Sequence, residues 1–333
     1  MTVDRRPGET SLLQQWADTP DLVAGTAVPE GADVGLALAS VQHLLAGHLA
    51  AEEHDEQRRA KMLRVVERQQ TDLARLDVTD PRGVVASVFG RLAPEERVGF
   101  LVESFFLDPF SPYSLKTSPR SRRRALTLLV AALGQDPDLV SRMARTATSA
   151  RRAYRNVSWA KVGLIGVGGA ALLGIGGFFA APMIGTAIGG AAGLAGAAAT
   201  NFGLALLGGG SLAAGGAGMA GGLWLVTGTG AALGAVAGAG AGMLFELGAA
   251  RARQELLKLQ VTFKLTVVDG QVGQLKAQEV LQRLGGDLDQ MRQMLEQERA
   301  LNDENARRVK ELEATVNALE AAIGWMTEQQ AAG

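Results

Sequence analysis

The chain has 333 residues, with 33 Lys and Arg against 34 Asp and Glu, a formal charge of −1 and no cysteine. That length accommodates about two domains with extensions. Disulfides, thiolate metal sites and cysteine nucleophiles are excluded, and the near-neutral total argues against a chain-wide nucleic-acid binder. The charge is nevertheless segregated: residues 1–56 hold ten acidic and two basic side chains, 116–161 eleven basic and two acidic, and 246–333 fourteen acidic and eleven basic. Such asymmetry predicts that one segment meets a charged surface or a membrane. The start, MTVDRRPGETS, carries no apolar run behind its arginines. It does not read as a secretory signal, and the termini are expected in the cytosol.

Residues 1–32, punctuated by Pro7, Pro20, Pro29 and Gly31, read as a loose acidic lead-in with one short helix at Leu12–Trp16. A cytosolic α-helical domain is expected over 33–150. Its first helical stretch places Leu36, Ser40, His43, Leu44, Gly47 and Ala51 on one face, and continues through the charged run EEHDEQRRAK to Asp80-Pro81. Pro94-Glu95-Glu96 is a good helix opening, because proline fits the first turn and acids complement the dipole. After the loop DPFSPYSLKTSPRS come RRRALTLLVAALG and DPDLVSRMARTATSARRAYRNVSWAK. The stretch with PEER, an apolar helix, a short loop and a basic helix ending in LGQDPDLV resembles half of a TerB-like helical domain of tellurite-resistance and stress proteins. In that family the inter-helix loop is an acidic, glycine-containing turn that can bind metal. Asp108-Pro109-Phe110 stands in its place here, so metal binding does not follow from the resemblance.

A basic juxtamembrane segment, 151–161, leads into a Gly/Ala-rich membrane region expected over 162–247. Residues 162–245 contain no charged side chain and hold 27 of the 43 glycines. This is several times the ~18 to 20 apolar residues that suggest one span. Residues 162–184 and 202–226 are rich in bulky apolar side chains and read as two strong spans. The Gly/Ala stretches between and after them need a packing partner, because glycine forms helix poorly. Gly230, Gly234, Gly238 and Gly242 recur every fourth residue, as do Gly185, Gly189 and Gly193 between small neighbours. That spacing makes a smooth groove on which another helix packs closely, within one hairpin or between copies. Arg151, Arg152, Arg155 and Lys161 precede the block, and Arg251 and Arg253 follow it. Basic residues on both flanks put both on the cytoplasmic side and make the number of spans even. Two or four spans satisfy this, with breaks near Pro182 and at Gly208-Gly209-Gly210-Ser211 favouring four. Tyr154 and Trp159 are expected in an interfacial aromatic belt, and Glu246 marks the block's edge.

The segment AAPMIGTAIGGAAGLAGAAATNFGLALLGGGSLAAGG resembles the Gly-rich membrane region of the interferon-induced small membrane proteins and of bacterial proteins with similar hydrophobic hairpins. The shared features are a small-residue, Pro and Met opening and a GGG turn about 25 residues later. The resemblance implies a membrane-active protein linked to stress or defence.

Residues 248–280 read as a mixed linker, in which Val261, Phe263, Leu265 and Val267 alternate like a strand between helical flanks. A coiled coil is expected over 281–329. Its seam is Leu281, Leu284, Leu288, Met291, Leu295, Asn302, Val309, Leu312, Val316, Leu319 and Ile323, with Met326 continuing it. Polar seam residues cost stability and fix register. The pattern fits self-association or pairing within the chain.

No catalytic site, cofactor site or metal site is expected. His43, His48 and His54 are the chain's three histidines. His48 and Glu52 share ligand-like spacing, but surface or helix-contact roles are the commoner use of such residues. Glycine runs such as GVGGAALLG lack the Lys-Ser/Thr and the following acid of nucleotide loops, and no Gly-x-Ser-x-Gly nucleophile motif is present. The basic stretch SPRSRRRALTLL suits anionic headgroups better than nucleic acid, given the apolar block downstream. The composition thus predicts an all-α, non-enzymatic, multi-pass membrane protein with both termini cytoplasmic. It would oligomerise through glycine-zipper helices and the coiled coil to permeabilise or remodel a membrane. The alternatives are a constitutive anchor docking a cytosolic partner through the coiled coil or N-terminal domain, and a soluble helical pore-forming toxin that hides its hairpin until triggered.

Overall fold

Helix α2 (Val34–Ala51) is apolar on nearly every face, and the first half of the protein is built around it. In this computed structural model the described residues are 10–23, 28, 32, 34–113, 115–155, 249–270, 274–301 and 307–332, and every element among them is helical. The expected all-α class is observed in them. Contacts divide the chain into two compact units whose boundary falls between Arg142 and Met143.

In the first unit, α2 packs against α1 (Leu12–Asp18), α3 (Glu56–Ala74), α4 (Pro81–Arg91), α5 (Pro94–Phe106) and α6 (Pro119–Ala132). A helix that is apolar all round requires burial, and these neighbours supply it. The helix starts are chemically explicit. Asp55, Asp80 and Ser118 each cap the next helix by accepting a backbone N–H, from Arg58, Arg82 and Arg120. Proline occupies the first turn of α4, α5 and α6. Glu96 accepts from the backbone N–H of Ala93 at the start of α5. Gly134 closes α6 with φ of 67°: its N–H bonds Ala131 O and that of Gln135 bonds Val130 O, a Schellman ending that glycine enters without strain. The Asp108–Ser111 loop is pinned from inside, since Gln42 Nε2 donates to Asp108 O and Ser111 O, and Gln69 Nε2 to Pro109 O.

The short helix expected in the lead-in is observed as α1: Ser11 caps it, and Leu13 and Trp16 are fully buried. One expectation changes in this unit. The helical run after residue 33 is two helices, with Glu52–Asp55 between α2 and α3. Among the described residues, α2 is the one helix long and apolar enough to cross a membrane, and 89% of it is buried within the protein. The predicted spans, 162–184 and 202–226, lie outside the described residues, as do Gly185, Gly189, Gly193, Gly230, Gly234, Gly238 and Gly242.

The second unit takes the end of α7 (Asp138–Ala153) and three C-terminal helices. Helix α8 (Ala249–Phe263) runs into a π-helical turn, Lys264–Val268. The segment expected to be a mixed linker is therefore helical and central. Residues 256–263 are all buried, so the alternation of Val261, Phe263, Leu265 and Val267 reflects burial on every face and not a strand. Gly270 closes the turn, where a Cβ would lie 2.2 Å from Thr266 O. Helices α9 (Gln274–Leu301) and α10 (Arg307–Ala332) pack on each other, and α10 also packs on α8. Glu298 pairs with Arg308, Arg299 with Glu313 and Arg292 with Glu320. Arg292, earlier in α9, meets Glu320 late in α10, whereas Glu298 and Arg299 meet Arg308 and Glu313 near its start, so the two helices are antiparallel.

Candidate functional site

Described residues on the two sides of the apolar block are in contact. Tyr154, just after α7, donates its hydroxyl to Gln260 Oε1 of α8 at 2.6 Å, across 106 residues of sequence. Arg253 lies over the Tyr154 ring, 5.7 Å from its centroid, a cation–π contact worth more when desolvated. Five residues before Tyr154, Ser149 of α7 accepts the indole N–H of Trp325 of α10 at 3.2 Å. Chain entering the block and chain leaving it are thus clamped at one neck. Burial pushes the Tyr154 phenol far above its ordinary value, against a partial opposing effect of Arg253, so it is a neutral hydrogen-bond donor.

Below the neck α8 carries an unusual polar load for a buried helix. Lys258 and Glu255 pair at 2.9 Å with both side chains largely enclosed. Gln260, Thr262, Thr266 and, from α10, Thr315 are buried as well. Thr266 satisfies itself on Thr262 O. Among the described residues Gln260 Nε2 and Thr262 Oγ1 find no hydrogen-bond partner, a cost of about 1–3 kcal/mol each.

A second cluster sits in the first unit. His48 of α2 lies 2.8 Å from Ser11 Oγ through Nδ1, and 3.4 Å from Glu52 Oε1 through Nε2. Arg124 of α6 reaches the same Glu52 oxygen at 3.3 Å. Ser11 Oγ also accepts the N–H of Gln14 as the cap of α1. Beside His48 a cleft of about 40 Å³ is lined by Leu12, His43, Gly47, Val66 and Glu67, among others. Burial lowers the His48 pKa; Glu52 opposes this and Arg124 reinforces it. The order serine, histidine, carboxylate evokes a nucleophile relay. Ser11 is buried and occupied as a helix cap, so its oxygen is not presented to a substrate. Among the described residues no group of three or more His, Asp or Glu could hold a metal ion.

The predicted site residues are distributed as follows. Arg151, Arg152 and Arg155 are exposed at the end of α7, Arg251 falls in α8, and Arg253 is half-buried on Tyr154 and not on an open flank. Tyr154 is buried inside the second unit, which corrects its placement in an interfacial belt. Lys161, Trp159, Glu246 and Asn302 lie outside the described residues. Of the seam, Leu284, Leu288, Met291, Leu295, Val309, Leu312, Val316, Leu319 and Met326 are buried, and Leu281 and Ile323 half-buried. They belong to two facing helices of one chain. In the basic stretch, Arg120, Arg123 and Arg124 are exposed in the first turns of α6, where no acid complements the helix dipole. Arg122 has a structural role, bonding Phe105 O and Leu107 O.

Sequence reasoning missed Ser11 and Gln260. Ser11 carried a readable signal, an N-cap residue before an apolar helix; Gln260 carried none. No protein-family model, curated protein or solved structure matches the chain.

Proposed function

We propose that the protein is a non-enzymatic membrane effector whose Gly-rich block enters or lies on a lipid bilayer and assembles there, permeabilising or remodelling it. The observation that carries this reading is the charge-free stretch 162–245, with 27 glycines that include two runs at four-residue spacing. In lipid, small residues at that spacing drive helix packing. The neck supports it: a block whose two ends are held by Tyr154, Arg253 and Gln260 leaves and returns on one side, as an even number of spans requires. Exposed arginines on α6 and at the end of α7 suit anionic headgroups, each contributing ~1 kcal/mol near the surface.

The antiparallel pairing of α9 with α10 occupies their apolar stripes within one chain, so assembly is assigned to the glycine zippers and not to a coiled coil between copies. Purified full-length protein added to dye-loaded vesicles of mixed neutral and anionic lipid tests the proposal. Binding with leakage or vesicle fragmentation is expected. Binding with neither identifies a constitutive anchor, and absence of binding removes the membrane reading.

A further inference from the structure

We infer that Ser11, His48 and Glu52 form an acid-released latch that holds α1 against α2 and α6. The inference stands without the membrane reading and is tested in lipid-free solution.

Helix α1 has seven residues, too few for independent stability in water. It stays helical because Leu13 and Trp16 are buried in the first unit and because Ser11 caps it. Its hydrogen bond to another helix, among the described residues, is Ser11 to His48. That bond depends on protonation. A neutral imidazole has one acceptor nitrogen, so Ser11 can donate its hydroxyl to Nδ1 and still accept from Gln14 N–H. An imidazolium donates from both nitrogens. Ser11 Oγ must then accept from two donors while its own hydrogen turns into an apolar surround. Protonation also places a cation on a side chain with 5% exposure, which is costly unless the helix above it opens to water.

The charged surroundings set the direction. Glu52, just after α2, favours the imidazolium and Arg124 of α6 opposes it. Glu67 of α3 and His43 of α2 line the same cleft, and α1 contributes Ser11 and no charge near the ring, its Asp18 being bonded to Gln14. The cleft beside the ring gives the proton a route. Burial depresses the proton affinity of His48 while α1 is docked, so acid favours the undocked form.

Hydrogen–deuterium exchange of the full-length chain tests this, with amides of residues 12–18 followed against those of α5 and corrected for intrinsic rates. Between about pH 7.5 and about pH 5 the 12–18 amides should open on the order of tenfold more often, with α5 unchanged. His48→Gln should abolish the pH response. Glu52→Gln and Arg124→Gln alter partly exposed side chains and should move its midpoint in opposite directions, down and up in pH. A pH-independent 12–18 segment overturns the latch, as does an equal response in α5, which would mean general acid destabilisation. Loss of the response in His43→Gln but not in His48→Gln also overturns it.

Discussion

Tyr154 and His48 are both buried titratable groups whose neutral forms make the contacts that matter. Removing the Tyr154 hydroxyl with Tyr154→Phe leaves Gln260 Oε1 without its donor in a site that already strands Gln260 Nε2. A loss of about 1–3 kcal/mol in the second unit is expected in urea unfolding. Its phenol proton is also held more tightly folded than unfolded. Stability from this group is therefore complete below the unfolded tyrosine value of about 10 and declines as pH rises beyond it. The chain has two tyrosines, so Tyr113→Phe isolates the Tyr154 signal. Phenolate absorbance in that variant should appear only together with unfolding of the second unit; a separate step in the folded protein would contradict the burial. Neither role was legible in the sequence. Tyr154 followed arginines ahead of an apolar block, the position of a membrane-belt residue, and only the fold reveals Gln260 above it. His48 and Glu52 were visible as a helical pair, but Ser11 lies 37 residues away.

Helices were legible where local chemistry decides them and misread where burial does. Pro94 with Glu95 and Glu96 announces α5, and Asp80-Pro81 marks the boundary at which α4 starts. By contrast residues 256–263 of α8 are all buried, which erases the 3.6-residue period that would have marked them as helix. The heptad run was readable as spacing, yet spacing alone does not say whether the stripe meets another chain or turns back on itself. The antiparallel ion pairs between α9 and α10 are about half exposed, so each contributes about 0–1 kcal/mol. The apolar stripe dominates: Leu312→Ala, at a fully buried position, should cost about 2–5 kcal/mol, and Glu313→Gln less than about 1 kcal/mol. Because the chain has no cysteine, Arg292→Cys with Glu320→Cys offers a direct check on partner choice. A short bismaleimide should join these two sites within one chain. A product of doubled mass on a denaturing gel would instead place the partner helix on another copy.

At the scale of the whole molecule, the described residues on either side of the charge-free block are held together by Tyr154, Arg253 and Gln260, and the proposed function separates anchoring from assembly. Under that proposal Tyr154, Arg253 and Gln260 tie the flanks of the block together, whereas the four-residue glycine spacing decides what the block packs against. Gly234→Leu with Gly238→Leu adds bulk to one groove and also raises apolarity, so partition into vesicles should be kept or strengthened. Close helix approach should be lost, and with it the assembly. The expected outcome is vesicle binding at least as tight as that of the parent, dye release reduced about tenfold, and loss of the higher oligomers captured by cross-linking. The urea transition of the first unit should be unchanged, because neither substituted glycine belongs to it. Leakage that persists at the parental rate would mean that membrane damage does not run through these grooves. Binding that falls together with leakage would instead assign the glycines to insertion itself.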